Sequence, residues 1–348
     1  MNRLIRLAAA AATVAVTVTA CGTTEVEEPA ATGSAAPVSQ TCANDTTTTA
    51  TGPVSMTDGV GRKVELAKPA QRVAVLEWQQ TEDLLTLCLN PVAVADPKGY
   101  ATYVKAETLP AGVVDAGQRG EPDLDALYAT NPDLIVVEAF KADDELITRL
   151  EKRGVPVLAT VGADASGQIA NMKKVFSMIG TATGRTERAD LVLQQFDKHL
   201  AEAKQKVANT AARDFLFFDG WIEGGNVVIR PYGEGALFTE LGEQLGMTPA
   251  WTEKINSAYG SGGVDPSYGL AQTDIEGLTA VGDATLFYSD DATPDSYVTE
   301  LTKSPIWTAL PAVKEKRAYA FPAGVWGAGG PLSNEQAIDA YVKILTQA

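Results

Sequence analysis

The sequence predicts an α/β fold of two Rossmann-like lobes with mainly parallel sheets, joined by a single long α-helix, with a cleft between the lobes. Three observations carry that prediction. Short β-rich runs alternate with amphipathic segments up to Thr160, the β signals stop between Ser166 and Asn209, and the alternation resumes from Asp214. Repeated strand–helix–strand order implies a parallel sheet covered on both faces.

In chain order, residues 1–20 read as an export signal rather than as part of the fold. Arg3 and Arg6 precede a run of Ala, Val and Thr that is too short for an ordinary membrane span. Val18-Thr19-Ala20-Cys21 looks like a bacterial lipobox, in which Cys21 takes a diacylglyceryl group and becomes the mature N-terminus. Residues 21–52 carry no aromatic residue and no periodicity, as expected of a flexible, solvated tether. Cys42 lies in it, and Cys88 is the one other cysteine besides Cys21. An exported chain is expected to oxidise such a pair to a disulfide.

Residues 53–184 form the expected N-terminal lobe. RVAVL (72–76) is a strand, TEDLLTLCL (81–89) a helix, PVAVAD (91–96) a strand followed by a loop. LDALYATNP leads into the strand DLIVVE, and ADDELITRLEKRG into VPVLAT. SGQIANMKKVFSMIGTATG reads as one further helix. Residues 185–209 read as the connecting helix, with apolar positions at Ala189, Leu193, Phe196 and Leu200. The C-terminal lobe, 210–348, resumes with DFLFFDG, NVVIR, GALFTELGEQLG, ATLFYSD, AVKEKRAYAF and NEQAIDAYVKIL.

Ligands of open parallel sheets sit beyond the carboxyl ends of the strands. Glu77 and Trp78 follow the first strand of the N-terminal lobe, and Trp221, Arg230, Tyr232, Tyr288 and Trp326 stand at strand ends of the C-terminal lobe. Arg119 lies in a loop between N-lobe strands. These are the candidate ligand-binding residues, whereas Trp251 and Trp307 are left to packing. The 348-residue chain holds 28 Lys+Arg against 44 Asp+Glu, a formal charge of −16, which argues against nucleic acid as a partner. Its single histidine, His199, sits on what reads as a solvated helical face, so no protein-built metal site is expected. The same count leaves no Ser-His-Asp arrangement, and no pair of carboxylates is placed as in a glycosidase; an exported hydrolase is the remote alternative. WGAGGPLS lacks the spacing of a dinucleotide loop and reads as a turn at the cleft.

Four segments, RVAVLEWQQTEDLLTLCLNPVAVAD, GQRGEPDLDALYATNPDLIVV, NMKKVFSMIGTATGRTERAD and SPIWTALPAVKEKRAYAFPAGVW with GGPLS, taken in order, resemble the periplasmic-binding-protein receptors of ABC transporters that bind iron-siderophores and vitamin B12. The resemblance runs from about residue 54 to the end. It implies a receptor that hands its ligand to a membrane permease served by a cytoplasmic ATPase, works as a monomer without catalysis, and sits lipid-anchored on the outer face of the cytoplasmic membrane. It aligns Arg119 with an arginine that hydrogen-bonds the iron-chelating oxygens in hydroxamate receptors. It also aligns Glu82 and Glu243 with one permease-docking acid per lobe. Cys88 stands where the family usually has glycine.

A ferric siderophore brings its iron already coordinated, so neither a protein metal ligand nor a cofactor is required. Few basic residues and many aromatics point to a neutral or cationic ligand, a ferric hydroxamate of the ferrioxamine kind. Cobalamin or haem is the alternative within the same family, and an adhesin without a small ligand the alternative outside it.

Overall fold

The computed structural model describes residues 39–210, 214–293 and 296–347. The export signal, Cys21 and the first part of the tether lie outside the described residues. Strand β1 (Val54–Thr57) pairs antiparallel with β2 (Lys63–Leu66) and seals one edge of the N-lobe core with Val54, Val64 and Leu66. The lobe continues through β3 (Val73–Val75), α1 (Trp78–Thr86), β4 (Ala93–Val94), α2 (Pro97–Tyr103), β5 (Val114–Asp115), a small hairpin of β6 (Gly117–Gln118) and β7 (Glu121–Pro122), α3 (Leu124–Ala129), β8 (Leu134–Glu138), α4 (Glu145–Glu151) and β9 (Val157–Thr160). Its sheet runs β5-β4-β3-β8-β9 with every neighbour parallel. Apolar side chains alternate between its faces: Val73 and Val75 enter one core and Ala74 and Leu76 the other. Helix α2 occupies what the sequence presents as a loop. Asp96 caps it by accepting from the Gly99 amide at 3.0 Å, and Pro97 starts it, while Gly99 and the lack of an apolar stripe conceal it from periodicity.

Helix α5 (Gln168–Ala182), with side chains in both cores, packs beside α6 (Thr186–Val207), the single long connector expected from the sequence. Helix α5 places Ile169 and Met172 in the C-lobe core and Val175, Phe176 and Ile179 in the N-lobe core. Helix α6 does the reverse, with Ala189 and Val192 in the first core and Phe196, Ala203 and Val207 in the second. Its 22 residues span about 33 Å, enough to run the depth of both lobes. His199, read as solvated, is only partly exposed, with Nε2 3.0 Å from Asp339 of the C-terminal helix.

The C-terminal lobe comprises β10 (Asp214–Glu223), β11 (Asn226–Pro231), α7 (Leu237–Gln244), β12 (Thr248–Pro249), α8 (Glu253–Tyr259), β13 (Thr285–Tyr288), α9 (Tyr297–Leu301), α10 (Pro305–Ala309), α11 (Pro311–Lys314), β14 (Ala318–Ala320) and α12 (Pro331–Gln347). Its sheet order is β11-β10-β13-β14, with β12 also on β10. All pairs are parallel except the antiparallel β10–β11 hairpin.

From Ser39 to Ala50 the chain is not a solvated tether but a strap held to the N-terminal lobe. Cys42 and Cys88 are disulfide-bonded. Arg185 and Arg188, both buried at the start of α6, hold the strap in place. Arg185 pairs with Asp45 and donates to Thr49 and Leu87, and Arg188 donates to Thr41 and Thr86. Ser39 donates to the buried Glu107 at 2.6 Å. The composition of the segment reads as disorder, but polar side chains here satisfy two buried guanidinium groups, which composition does not reveal.

Candidate functional site

The N-lobe strand order reverses between β3 and β8, and at such a switch point the loops diverge and open a crevice. Glu77 follows β3 and Glu138 ends β8, so two carboxylates stand side by side at the crevice. Two cavities open between the lobes. The inner one, about 250 Å³, is lined by Glu77, Gln79, Glu138, Gln168 and Tyr268 among others. The outer one, about 400 Å³, takes Trp78, Tyr103, Asp219, Trp221 and Asp290. Arg119, Arg230, Tyr232 and Trp326 line both and mark where they join.

Each arginine arrives with its own counter-charge. The Arg119 guanidinium lies 4.0 Å from the Trp78 ring centroid and donates to Glu77 Oε1 at 2.5 Å. Arg230 and Asp219 are register partners across the β10–β11 hairpin, and the guanidinium grips both carboxylate oxygens, Nε to Oδ1 at 2.7 Å. The Tyr232 hydroxyl donates to the same carboxylate at 3.2 Å. Burial works against the Arg230 charge, yet the bonds to Asp219 outweigh it and raise its pKa above the ordinary value. Glu138, Asp290 and Asp291 have no cation within ion-pair distance among the described residues. The lining is therefore aromatic and carries more acid than base. Trp78, Tyr103 and Trp326 form one aromatic wall, Trp78 and Trp326 edge to face at 5.0 Å.

Of the residues proposed from sequence, Trp78, Arg119, Trp221, Arg230, Tyr232 and Trp326 meet at the cleft. Tyr288 does not. Successive strand side chains point to opposite faces, so Phe287 joins the core beneath the cleft while Tyr288 stacks on Phe218 at 5.6 Å and meets Trp307 on the other side of the sheet. The trailing WGAGGPLS segment is a cleft turn from Trp326 to Gly329, after which Pro331 begins α12. Residues that the sequence reading passed over are Asp219, Glu138 and Tyr268. The first two stand towards the ends of the strand segments DFLFFDG and DLIVVE, the signal that marks them, whereas Tyr268 lies outside any strand segment.

Glu82 does not reach the surface. It is fully buried, accepting from the Ser333 amide at 2.8 Å and the Ser333 hydroxyl at the N-terminus of α12, so it cannot meet a permease. The neighbouring Asp83 is equally buried, and its carboxylate lies so close to Gly330 that no Cβ fits there. Burial, together with Glu82, holds the Asp83 pKa well above the usual carboxylate range. Burial pushes Glu82 from 4.5 up to about 7 against the hydrogen bonds from Ser333 and Gly330. In the unfolded chain Glu82 loses its proton near 4.5, so between there and about 7 the folded state binds more protons, and stability must fall as pH rises. Urea midpoints measured from pH 5 to 8 are expected to decline. Glu82→Gln should remove its share of the slope, roughly 1 kcal/mol per pH unit. An unchanged slope in that variant would show that Glu82 does not titrate there. Glu243, by contrast, is exposed near the end of α7.

The family described as Periplasmic binding protein matches residues 73–324. The chain belongs to that family. The Escherichia coli (strain K12) iron(3+)-hydroxamate-binding protein FhuD is 27% identical over 264 residues, covering 75% of this chain and 82% of FhuD. Among solved structures, Vibrio cholerae FhuD bound to Fe3+-Desferal superposes with a TM-score of 0.65 at 23% identity, over 79% of this chain and 97% of that one. Bacillus subtilis FeuA, a triscatecholate siderophore binding protein complexed with ferri-bacillibactin, gives 0.64 at 20%, over 84% and 98%. For this periplasmic binding protein the structural likeness thus establishes the two-lobed architecture, and it spans proteins solved with different siderophores.

Proposed function

We propose that this protein is the extracytoplasmic substrate-binding lipoprotein of an ABC importer, anchored through Cys21 to the outer face of the cytoplasmic membrane, and that it captures a ferric hydroxamate siderophore of the ferrioxamine kind. The observation that carries the reading is the pairing of both cleft arginines with carboxylates of the protein itself, Arg119 with Glu77 and Arg230 with Asp219. A receptor for a multiply charged anion needs unspent cations. Here the two guanidinium groups are neutralised in advance and further acids remain, so a trianionic tricatecholate or a ferric citrate meets net repulsion, whereas a neutral or cationic hydroxamate chelate does not. The Arg119 donors not engaged by Glu77 remain available to chelating oxygens, and Trp78, Trp221 and Trp326 offer flat apolar contact to the aliphatic links of the chelator. The identity with the E. coli iron(3+)-hydroxamate-binding protein supports the same choice.

Titration of intrinsic tryptophan fluorescence tests it, because three of the cleft aromatics are tryptophans. Ferrioxamine is expected to quench with saturation, and ferric citrate and a ferric tricatecholate to leave the signal unchanged at the same concentrations. Quenching by the last two alone would refute the hydroxamate reading. Delivery to a permease by a monomeric receptor falls to the exposed Glu243 on the C-terminal lobe. Glu243→Arg should leave the titration unchanged and abolish iron uptake in cells; surviving uptake would remove Glu243 from the docking surface.

A further inference from the structure

Glu138 and Tyr268 reach each other from opposite lobes. The Tyr268 hydroxyl donates to Glu138 Oε1 at 2.9 Å, and the ring rests edge to face on Phe140. Next to it, Gln168 binds the Ser267 carbonyl at 2.8 Å, so the loop that carries Tyr268 is held against the cleft rather than free. Only one carboxyl oxygen is used by the tyrosine. The other, Oε2, lies against Gly162, where a Cβ would overlap it, and the carboxyl lines the inner cavity. The charged groups that face it are Glu77 from the start of α1 and Arg119 from the turn between β6 and β7, with the Tyr268 hydroxyl from the C-terminal lobe. Arg119 pairs with Glu77 through Nη1 and makes no ion pair with Glu138.

We infer that Glu138 recognises the ligand as a neutral acid, donating an O–H from Oε2 to an oxygen of the bound chelate. Binding above neutrality then draws one proton from solvent onto Glu138 and releases it when the ligand leaves. The inference rests on the proposed hydroxamate ligand and sets its coordinated or amide carbonyl oxygens, which only accept hydrogen bonds, against Oε2, rather than its amide N–H groups or a terminal amine. An ionised Glu138 would point a lone pair at those oxygens, in a half-closed cleft beside a second carboxylate. Burial, with the Glu77 charge adding to it, pushes Glu138 up to about 7, while the Tyr268 hydrogen bond and Arg119 pull in the opposite direction. Below that value the acid is already protonated and affinity is level; above it each pH unit should weaken binding about tenfold.

The test is the Kd of ferrioxamine, from tryptophan quenching, at half-unit steps from pH 5.5 to 8.5. Wild-type protein should show a plateau that breaks near pH 7 and then falls. Glu138→Gln keeps a donor that cannot ionise, so its profile should lose the break near pH 7 and stay level across the range, whatever its absolute affinity. Tyr268→Phe removes a hydrogen bond that favours the ionised carboxylate, so its break should move to higher pH, a displacement that a purely structural role would not produce. A flat wild-type profile, or a Glu138→Gln profile with the wild-type slope, would overturn the assignment of Glu138 alone. Absence of ferrioxamine binding by wild-type protein at every pH would instead overturn the hydroxamate reading beneath it.

Discussion

Arg119→Ala is expected to weaken ferrioxamine binding by about 1–3 kcal/mol, roughly 5- to 150-fold in Kd, because on the proposed reading the lost donors are those offered to ionised chelate oxygens in a partly desolvated cleft. The effect is one of recognition and not of folding. The Arg119 side chain is 36% exposed and its partner Glu77 17%, so their ion pair is screened and adds little to stability. The melting temperature of the ligand-free variant should therefore stay close to that of the wild type. Arginine also covers the Trp78 ring, so Arg119→Lys, which keeps the charge but neither the forked geometry nor the stacking, should recover only part of the loss. An unchanged Kd in Arg119→Ala would place the arginine outside the recognition surface and leave its pairing with Glu77 as a structural detail.

Opening the Cys42–Cys88 disulfide should produce the largest stability change. The bond closes a separation of 46 residues, for which loop entropy gives up to about 4 kcal/mol. A further cost follows from what the strap does: with it loosened, Arg185 and Arg188 lose Asp45, Thr49 and Thr41 as partners and are left buried without them. Chemical denaturation of the paired Cys42→Ser, Cys88→Ser variant should show a lower midpoint by that order, together with faster proteolysis between Ser39 and Ala50. Ferrioxamine affinity should be unaffected, since no strap residue lines either cavity. Equal midpoints for wild type and variant would mean that the strap is held by its polar contacts alone.

Much of the architecture was legible because the signals involved are local. Apolar runs bounded by turns announce parallel strands, and an apolar stripe sustained from Ala189 to Leu200 announces a long helix whatever it packs against. The cleft aromatics were legible for a similar reason, since strand ends are visible in sequence and strand ends of a parallel sheet are where ligands go. Where the inference failed, the missing information was spatial. Tyr288 stands at a strand end like Trp221, but the parity of its position on β13 turns it away from the cleft. Glu82 lies in the first helix of the family pattern, yet α12, more than two hundred residues later, arrives on top of it and converts a candidate surface acid into a buried cap.

Residue type and spacing alone thus determined the two lobes, the connecting helix, an oxidisable cysteine pair and a cleft rich in tryptophan. The charge state of that cleft was decided only in three dimensions. Whether an arginine is free to hold an anion depends on which carboxylate the fold sets beside it, and the pairs Glu77–Arg119 and Asp219–Arg230 form across a loop and across a hairpin register. Net charge read from composition sums the whole chain. Electrostatic energy falls with distance and with solvent screening, so recognition answers to the few groups that the fold brings within about 4 Å of one another.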